Sequence, residues 1–176
     1  MNKKSIGLFG GSFDPPHKGH LKISLKSIKN FKLKILYWAV TNKNPFKKKP
    51  FFSLNERVVS CKKLTKNNKV IQVKCFDKLA TSPRTVDIMK YLIKKNRNSN
   101  LYLIIGSDNL VNFHKWKNFK TILKLCSLVV FARNGYEKKA RNSYVFKRML
   151  KINKIIYIKN CKIDISSSKL REFYLR

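Results

Sequence analysis

The chain has 176 residues, and 43% of them are hydrophobic, which is enough for a single domain over residues 1–176 with a substantial core. No apolar run reaches the ~18 residues that a membrane helix needs, and the first residues, MNKK, lack the apolar stretch of a secretion signal. We therefore expect a cytoplasmic protein without a membrane partner. The formal net charge is +33, but because the lysines are spread along the whole chain, we expect only weak, non-specific and salt-sensitive binding to nucleic acid.

The four cysteines, Cys61, Cys75, Cys126 and Cys161, are far apart in the sequence and form no close pairs. This usage is typical of small buried side chains in a reducing compartment. We expect neither a disulfide nor a metal site formed by the protein.

A short apolar strand is predicted at residues 6–9, and the motif GGSFDPPHKGH follows at residues 10–20. Leu21, Leu25 and Ile28 then recur at helical spacing. Glycines allow the backbone to approach a phosphate, and His17 and His20 fall on one side of the starting helix, where both can donate to phosphoryl oxygens. A glycine and proline turn with surface histidines is the better explanation of a lone H-x-x-H, and a zinc site has weaker support, but the whole eleven-residue motif is far more specific than any of its parts.

Further strands are predicted at residues 33–40, 70–73, 101–105, 128–132 and 155–158. Between the second and third strands lies a basic loop whose Lys47 faces phosphates or belongs to a solvated run of charges. Ser53 and Glu56 form a capping-box pattern, and Val58, Val59 and Leu64 supply the apolar side of the helix that follows. This alternation predicts an α/β fold with a doubly wound, Rossmann-like parallel sheet.

Small or hydroxylated residues follow several of these elements. Thr85 is expected to cap a helix at residues 86–93, and the turn GSDN at residues 106–109 ends a predicted strand. Trp116 lies beside that turn and is either a core anchor or a flat surface for an aromatic ligand. A helix is expected at residues 144–152. The segment ISSSKLR at residues 165–171 places hydroxyls and Arg171 at a helix start, which suits a triphosphate or is an ordinary serine cap.

Taken together, GGSFDPPHKGH, the TVD at residues 85–87, GSDN with FHKW, and ISSSKLR resemble the bacterial nicotinate-nucleotide adenylyltransferases of the nucleotidyltransferase superfamily. The resemblance covers essentially the whole chain. It implies an enzyme of NAD biosynthesis that transfers the AMP moiety of ATP to nicotinate mononucleotide, giving nicotinate adenine dinucleotide and pyrophosphate. It also implies Mg²⁺ carried on the ATP phosphates, and it is compatible with a homo-oligomer.

The resemblance also implies roles for single residues. His17, His20 and Arg171 would be catalytic. The residues implied in ATP binding are Gly10, Gly11, Ser12, Phe13, His17, His20, Ser167, Ser168 and Arg171. Those implied in binding the mononucleotide are Asp14, Lys47, Thr85, Gly106, Asp108 and Trp116. The pyridine ring would stack on Trp116, and its carboxylate would meet backbone N–H groups near Thr85 and just after Trp116.

Two features depart from the family pattern. Arg84, preceded by Pro83, stands where the family often has a tyrosine, and the chain ends at Arg176, before the further helical segment that the family usually has. Phosphopantetheine adenylyltransferase is the alternative enzyme, because it shares the glycine-rich motif and the serine-rich end. That family typically has threonine at the first histidine and lacks the GSDN and FHKW pair. A non-catalytic polyanion-binding protein would explain the charge and leave the histidines unexplained.

Overall fold

The computed structural model describes residues 3–42, 49–77, 79–82, 84–149, 155–159, 167, 170 and 171. Its six strands form one sheet in the order β3-β2-β1-β4-β5-β6, and every pairing is parallel. The strands are β1 (Lys4–Gly11), β2 (Ile35–Val40), β3 (Ile71–Lys74), β4 (Ser99–Gly106), β5 (Ser127–Phe131) and β6 (Ile155–Ile158). The predicted doubly wound parallel sheet is confirmed, and each predicted strand agrees with the structure to within a few residues.

Seven α-helices are described, together with a 3₁₀ turn at Phe113–Lys115. The helices are α1 (Lys18–Phe31), α2 (Leu54–Thr65), α3 (Thr85–Lys95), α4 (Ser107–Val111), α5 (Phe119–Leu125), α6 (Glu137–Arg141) and α7 (Tyr144–Met149). None of the helices in the described ranges is long and apolar enough to cross a membrane.

The core lies on both faces of the sheet. On one face, Ile23 of α1 and Cys61 of α2 pack with Trp38 and neighbouring strand residues. On the other face, α3, α4, α5 and α7 pack against the alternate strand side chains, among them Leu103. Burial on both faces explains why the strand sequences are continuous apolar runs rather than alternating ones.

Two predicted helix faces are wrong in detail. Leu25 is 44% exposed and Val59 is 55% exposed, so neither side chain belongs to the buried side of its helix. In α1 the buried positions include Ser24 and Ser27, whose hydroxyls donate to the carbonyls of His20 and Ile23, each at 2.9 Å. A serine whose hydroxyl is hydrogen-bonded within its own helix can be buried at modest cost. A prediction from apolar residues alone therefore placed the buried face of α1 incorrectly.

Local predictions agree better. The backbone N–H of Ser53 donates to Glu56 Oε2 at 2.8 Å, and the N–H of Glu56 donates to Ser53 Oγ at 3.3 Å, which confirms the capping box. Cys61 and Cys126 are buried, and burial raises the pKa of both thiols to about 12. They are therefore unreactive core residues. Cys161 lies outside the described residues.

The sheet order determines where a ligand can bind. From β1 the chain winds to β2 and β3 on one side, then crosses to β4, β5 and β6 on the other. Strands β1 and β4 are neighbours, and the connections leave their carboxyl ends in opposite directions. This switch point is where open α/β sheets form a ligand crevice.

Candidate active site

A cavity of about 870 Å³ opens at the carboxyl ends of β1, β4 and β5. Most of the predicted site residues meet there, although they come from both ends of the chain. Those that line the cavity are Gly10, Gly11, Ser12, Phe13, Asp14, His17, His20, Gly106, Asp108, Ser167 and Arg171.

Two predicted residues do not line this cavity. Thr85 is the first residue of α3, which Arg84 precedes without a side-chain cap, so the predicted role of Thr85 as helix cap is wrong. The carbonyl of Arg84 accepts the N–H groups of Asp87 and Ile88, and the helix therefore starts one residue earlier than predicted. Trp116 packs on Phe113 with ring centroids 4.9 Å apart, as a core anchor does. Lys47 and Ser168 lie outside the described residues.

His17 and His20 lie side by side at the start of α1, with ring centroids 3.8 Å apart. The backbone N–H of His17 donates to His20 Nδ1 at 3.2 Å, and the backbone N–H of His20 donates to the carbonyl of His17 at 2.9 Å. An Nδ1 that accepts a hydrogen bond leaves the proton of a neutral imidazole on Nε2. His20 can therefore donate a hydrogen bond from Nε2.

His17 is neutral at pH 7. Burial, and after it the positive charge of Arg133, lower the pKa of His17 from 6.5 to about 4. A phosphate in the cavity would act in the opposite direction, because a nearby negative charge favours the imidazolium form. Before an anion binds, His17 is therefore a neutral imidazole that can donate a hydrogen bond to it.

Aromatic packing holds the glycine-rich loop in one conformation. Phe13 has φ = 48°, a left-handed conformation that costs a bulky residue about 1–2 kcal/mol. Its ring is buried and stacks on Trp38 at 4.7 Å, which fixes that conformation. A Cβ on Gly11 would lie 3.3 Å from the Phe13 ring, whereas a Cβ on Gly10 would meet nothing within 4 Å. The backbone at Gly10 is therefore open to the cavity.

Asp14 is 5% exposed and holds a neighbouring segment in place. Its two carboxylate oxygens accept the backbone N–H groups of Phe51 and Phe52, each at 2.9 Å. These bonds fix the segment Lys49–Phe51 as one wall of the cavity. A direct role of Asp14 in mononucleotide binding stays a prediction. Its observed contacts are those of a residue that shapes the site.

The end of the chain reaches the same loop. Arg171 Nη1 donates to the carbonyl of Asp14 at 2.7 Å and to its Oδ2 at 3.1 Å, and Ser167 Oγ donates to the carbonyl of Pro15 at 2.9 Å. These bonds fix the orientation of the guanidinium, and Arg171 lines the cavity in that orientation.

Arg133 follows β5 and lines the cavity, although no sequence motif identified it as a site residue. Its Nη1 lies 2.8 Å from Asp108 Oδ2, and its backbone N–H donates to Ser107 Oγ at 2.9 Å. The carboxylate of Asp108 lies so close to Gly106 that a Cβ there would collide with it. Only the position of Arg133 just after a predicted strand could have singled it out among 41 basic residues.

The chain matches the model of the Cytidylyltransferase-like family over residues 8–173. A protein of Pelagibacter ubique named probable nicotinate-nucleotide adenylyltransferase is 42% identical over 172 residues, which are 98% of this chain and 94% of that protein. An Aquifex aeolicus protein of the same name is 32% identical, over 92% of this chain and 98% of its own. The structure of Plasmodium falciparum nicotinic acid mononucleotide adenylyltransferase complexed with NaAD has a TM-score of 0.72 at 20% identity, covers 97% of this chain and 83% of that one, and supports the fold.

Proposed function

Because the chain belongs to the cytidylyltransferase-like family and, within it, to the nicotinate-nucleotide adenylyltransferases, we propose that it transfers the AMP moiety of ATP to nicotinate mononucleotide. The products are nicotinate adenine dinucleotide and pyrophosphate, and the reaction is a step of NAD biosynthesis. One observation carries the proposal: His17, His20 and Arg171, from opposite ends of the chain, line one cavity at the switch point of the sheet.

In this reaction a phosphate oxygen of the mononucleotide attacks the α-phosphorus of ATP. The bond from that phosphorus to the bridging oxygen of the β-phosphate breaks in line, and pyrophosphate leaves with the bonding electrons. No covalent enzyme intermediate is needed, so the protein acts by positioning and by stabilising charge. His17 and His20 donate hydrogen bonds to phosphoryl oxygens, and Arg171 neutralises the leaving pyrophosphate with a bidentate fork.

The residues in the cavity fit a metal ion that arrives with the nucleotide. Asp14 is occupied by two N–H groups and Arg171, and Asp108 is paired with Arg133. Within the described ranges, no group of three or more metal-ligating side chains exists. We therefore propose that Mg²⁺ is bound mainly by the ATP phosphates and water, where it would supply further positive charge.

The acceptor is the finer part of the proposal. Lys49 and Arg133 give the cavity wall positive charge, which suits a substrate with both a phosphate and a carboxylate. A carboxylate accepts two backbone N–H groups, whereas a carboxamide turns its own donor toward one of them. Such an unsatisfied donor costs about 1–3 kcal/mol, or about one to two decades in specificity. The contacts of Thr85, Trp116 and Lys47 with this group stay predictions.

A single assay tests the function. The purified protein is incubated with ATP, Mg²⁺ and, in turn, nicotinate mononucleotide, nicotinamide mononucleotide or phosphopantetheine, and both pyrophosphate and the adenylylated product are measured. We expect kcat/KM to be highest for nicotinate mononucleotide, by about tenfold or more over the amide. Equal values for the two mononucleotides would refute the acceptor pocket, and turnover with phosphopantetheine alone would refute the proposed function.

A further inference from the structure

Arg57, in the first turn of α2, is a buried cation with an unusual set of partners. The residue is 2% exposed, and among the described residues its guanidinium donates only to main-chain carbonyls. The bonds are Nη1 to Ser12 O at 2.7 Å, Nη1 to Thr41 O at 2.8 Å, Nε to Phe52 O at 3.1 Å and Nη2 to Asn42 O at 3.4 Å. The four acceptors belong to three separate segments of the chain.

These bonds require a guanidinium. A buried positive charge is costly unless its donors are satisfied, and among the described residues no carboxylate forms a salt bridge with Arg57. The planar fork of arginine reaches acceptors on several sides at once, whereas the single nitrogen of lysine cannot span them. These loops therefore require an arginine at position 57, because another positively charged side chain would not form the same hydrogen bonds.

Two of the three segments border the cavity. Ser12 lies in the glycine-rich loop after β1, and residues 41–42 follow β2. Phe52 follows the wall segment Lys49–Phe51. Asp14 accepts the N–H groups of Phe51 and Phe52, while Arg57 donates to the carbonyl of Phe52. The Asp14 carboxylate and the Arg57 guanidinium thus both hold the chain at Phe52, directly after the wall segment.

We propose that Arg57 is a positioning residue that fixes the wall segment Lys49–Phe51 against the glycine-rich loop, so that the acceptor mononucleotide is aligned with ATP. This inference rests on the proposed function. The glycine-rich loop has independent support from the stacking of Phe13 on Trp38. Loss of Arg57 should therefore displace the wall segment more than the ATP side of the cavity.

The test compares Arg57→Lys and Arg57→Met with a control, Cys61→Ala. Cys61 is fully buried one turn further along α2, packs in the core and does not line the cavity, so its truncation destabilises the same helix without touching the loops. We expect both Arg57 variants to raise the KM for nicotinate mononucleotide by about tenfold while the dissociation constant of ATP changes by less than about twofold. We expect the control to keep both native values.

A second readout requires no turnover. Hydrogen exchange of the amides in residues 49–53 should be faster in Arg57→Lys than in the native protein, and unchanged in Cys61→Ala. Partial unfolding lowers kcat but leaves KM unchanged, and so it cannot imitate the expected result. If Arg57→Met does not fold, Arg57→Lys decides the question. If Arg57→Lys has the KM and the amide exchange of the native protein, the proposal is overturned. If the native protein itself shows no activity with nicotinate mononucleotide, the proposed function is refuted instead.

Discussion

His20 combines a structural contact with its proposed chemistry in one imidazole. Its Nδ1 accepts the N–H of His17, and its ring packs against Phe13 and Phe9 with centroid distances of 5.0 and 5.8 Å. The side chain is therefore half-buried, and replacing it affects the fold as well as the reaction. The two effects can be separated, because the two ring nitrogens act on different partners.

We predict that His20→Ala lowers kcat by about 100-fold or more through lost transition-state stabilisation, and lowers the free energy of unfolding by about 1–2 kcal/mol. The matched variant is His20→Asn, whose Oδ1 lies near the place of Nδ1 and can still accept the N–H of His17. It should recover much of the stability and none of the activity. Denaturant unfolding and steady-state kinetics measure the two effects, and an active His20→Asn protein would contradict the proposed donor role of Nε2.

At the scale of elements, α1 is attached to β2 by a buried hydrogen bond. Trp38 Nε1 of β2 donates to Ser24 Oγ of α1 at 2.8 Å, and that hydroxyl donates in turn to the carbonyl of His20. Trp38 is also the ring on which Phe13 stacks. The position of the histidine helix on the sheet and the shape of the glycine-rich loop thus depend on the same indole.

Two serines of α1 provide a matched test of this attachment. Ser24 and Ser27 are both fully buried and both donate to a carbonyl of their own helix, but only Ser24 accepts from Trp38. We predict that Ser24→Ala destabilises the protein by about 1–3 kcal/mol more than Ser27→Ala, because it leaves the indole N–H buried without a partner. Urea unfolding of the two variants measures the difference, and equal losses would show that the indole bond contributes little.

The net charge of the whole chain is +33, and among the described residues only two ion pairs are formed. Both of these pairs, Asp14 with Arg171 and Asp108 with Arg133, lie at the cavity. The structure therefore concentrates paired carboxylates at the site, while the lysines remain distributed over the surface. Weak, salt-sensitive binding to nucleic acid stays a prediction from this field.

The stability of the whole fold should depend on pH through His17. Below about pH 6.5 the unfolded chain binds a proton at this residue, but the folded chain does so only near pH 4, so the free energy of unfolding falls as the pH falls from 6.5 to 4. The shift corresponds to about 3 kcal/mol, and solvent screening of the partly buried ring reduces this to about 1 kcal/mol. Unfolding curves of the native protein and of His17→Asn should converge or cross over this range, and parallel curves would contradict the lowered pKa.

The sequence by itself determined the strands, the capping box of α2 and the glycine-rich motif, because each follows from the chemistry of about ten neighbouring residues. It also brought the two histidines to the start of α1. Only the tertiary structure decided the contacts of Arg57 and Arg133, since nothing local distinguishes them from the other basic residues. The same is true of Trp116 and Leu25, whose burial depends on which distant element covers them, and no local pattern contains that information.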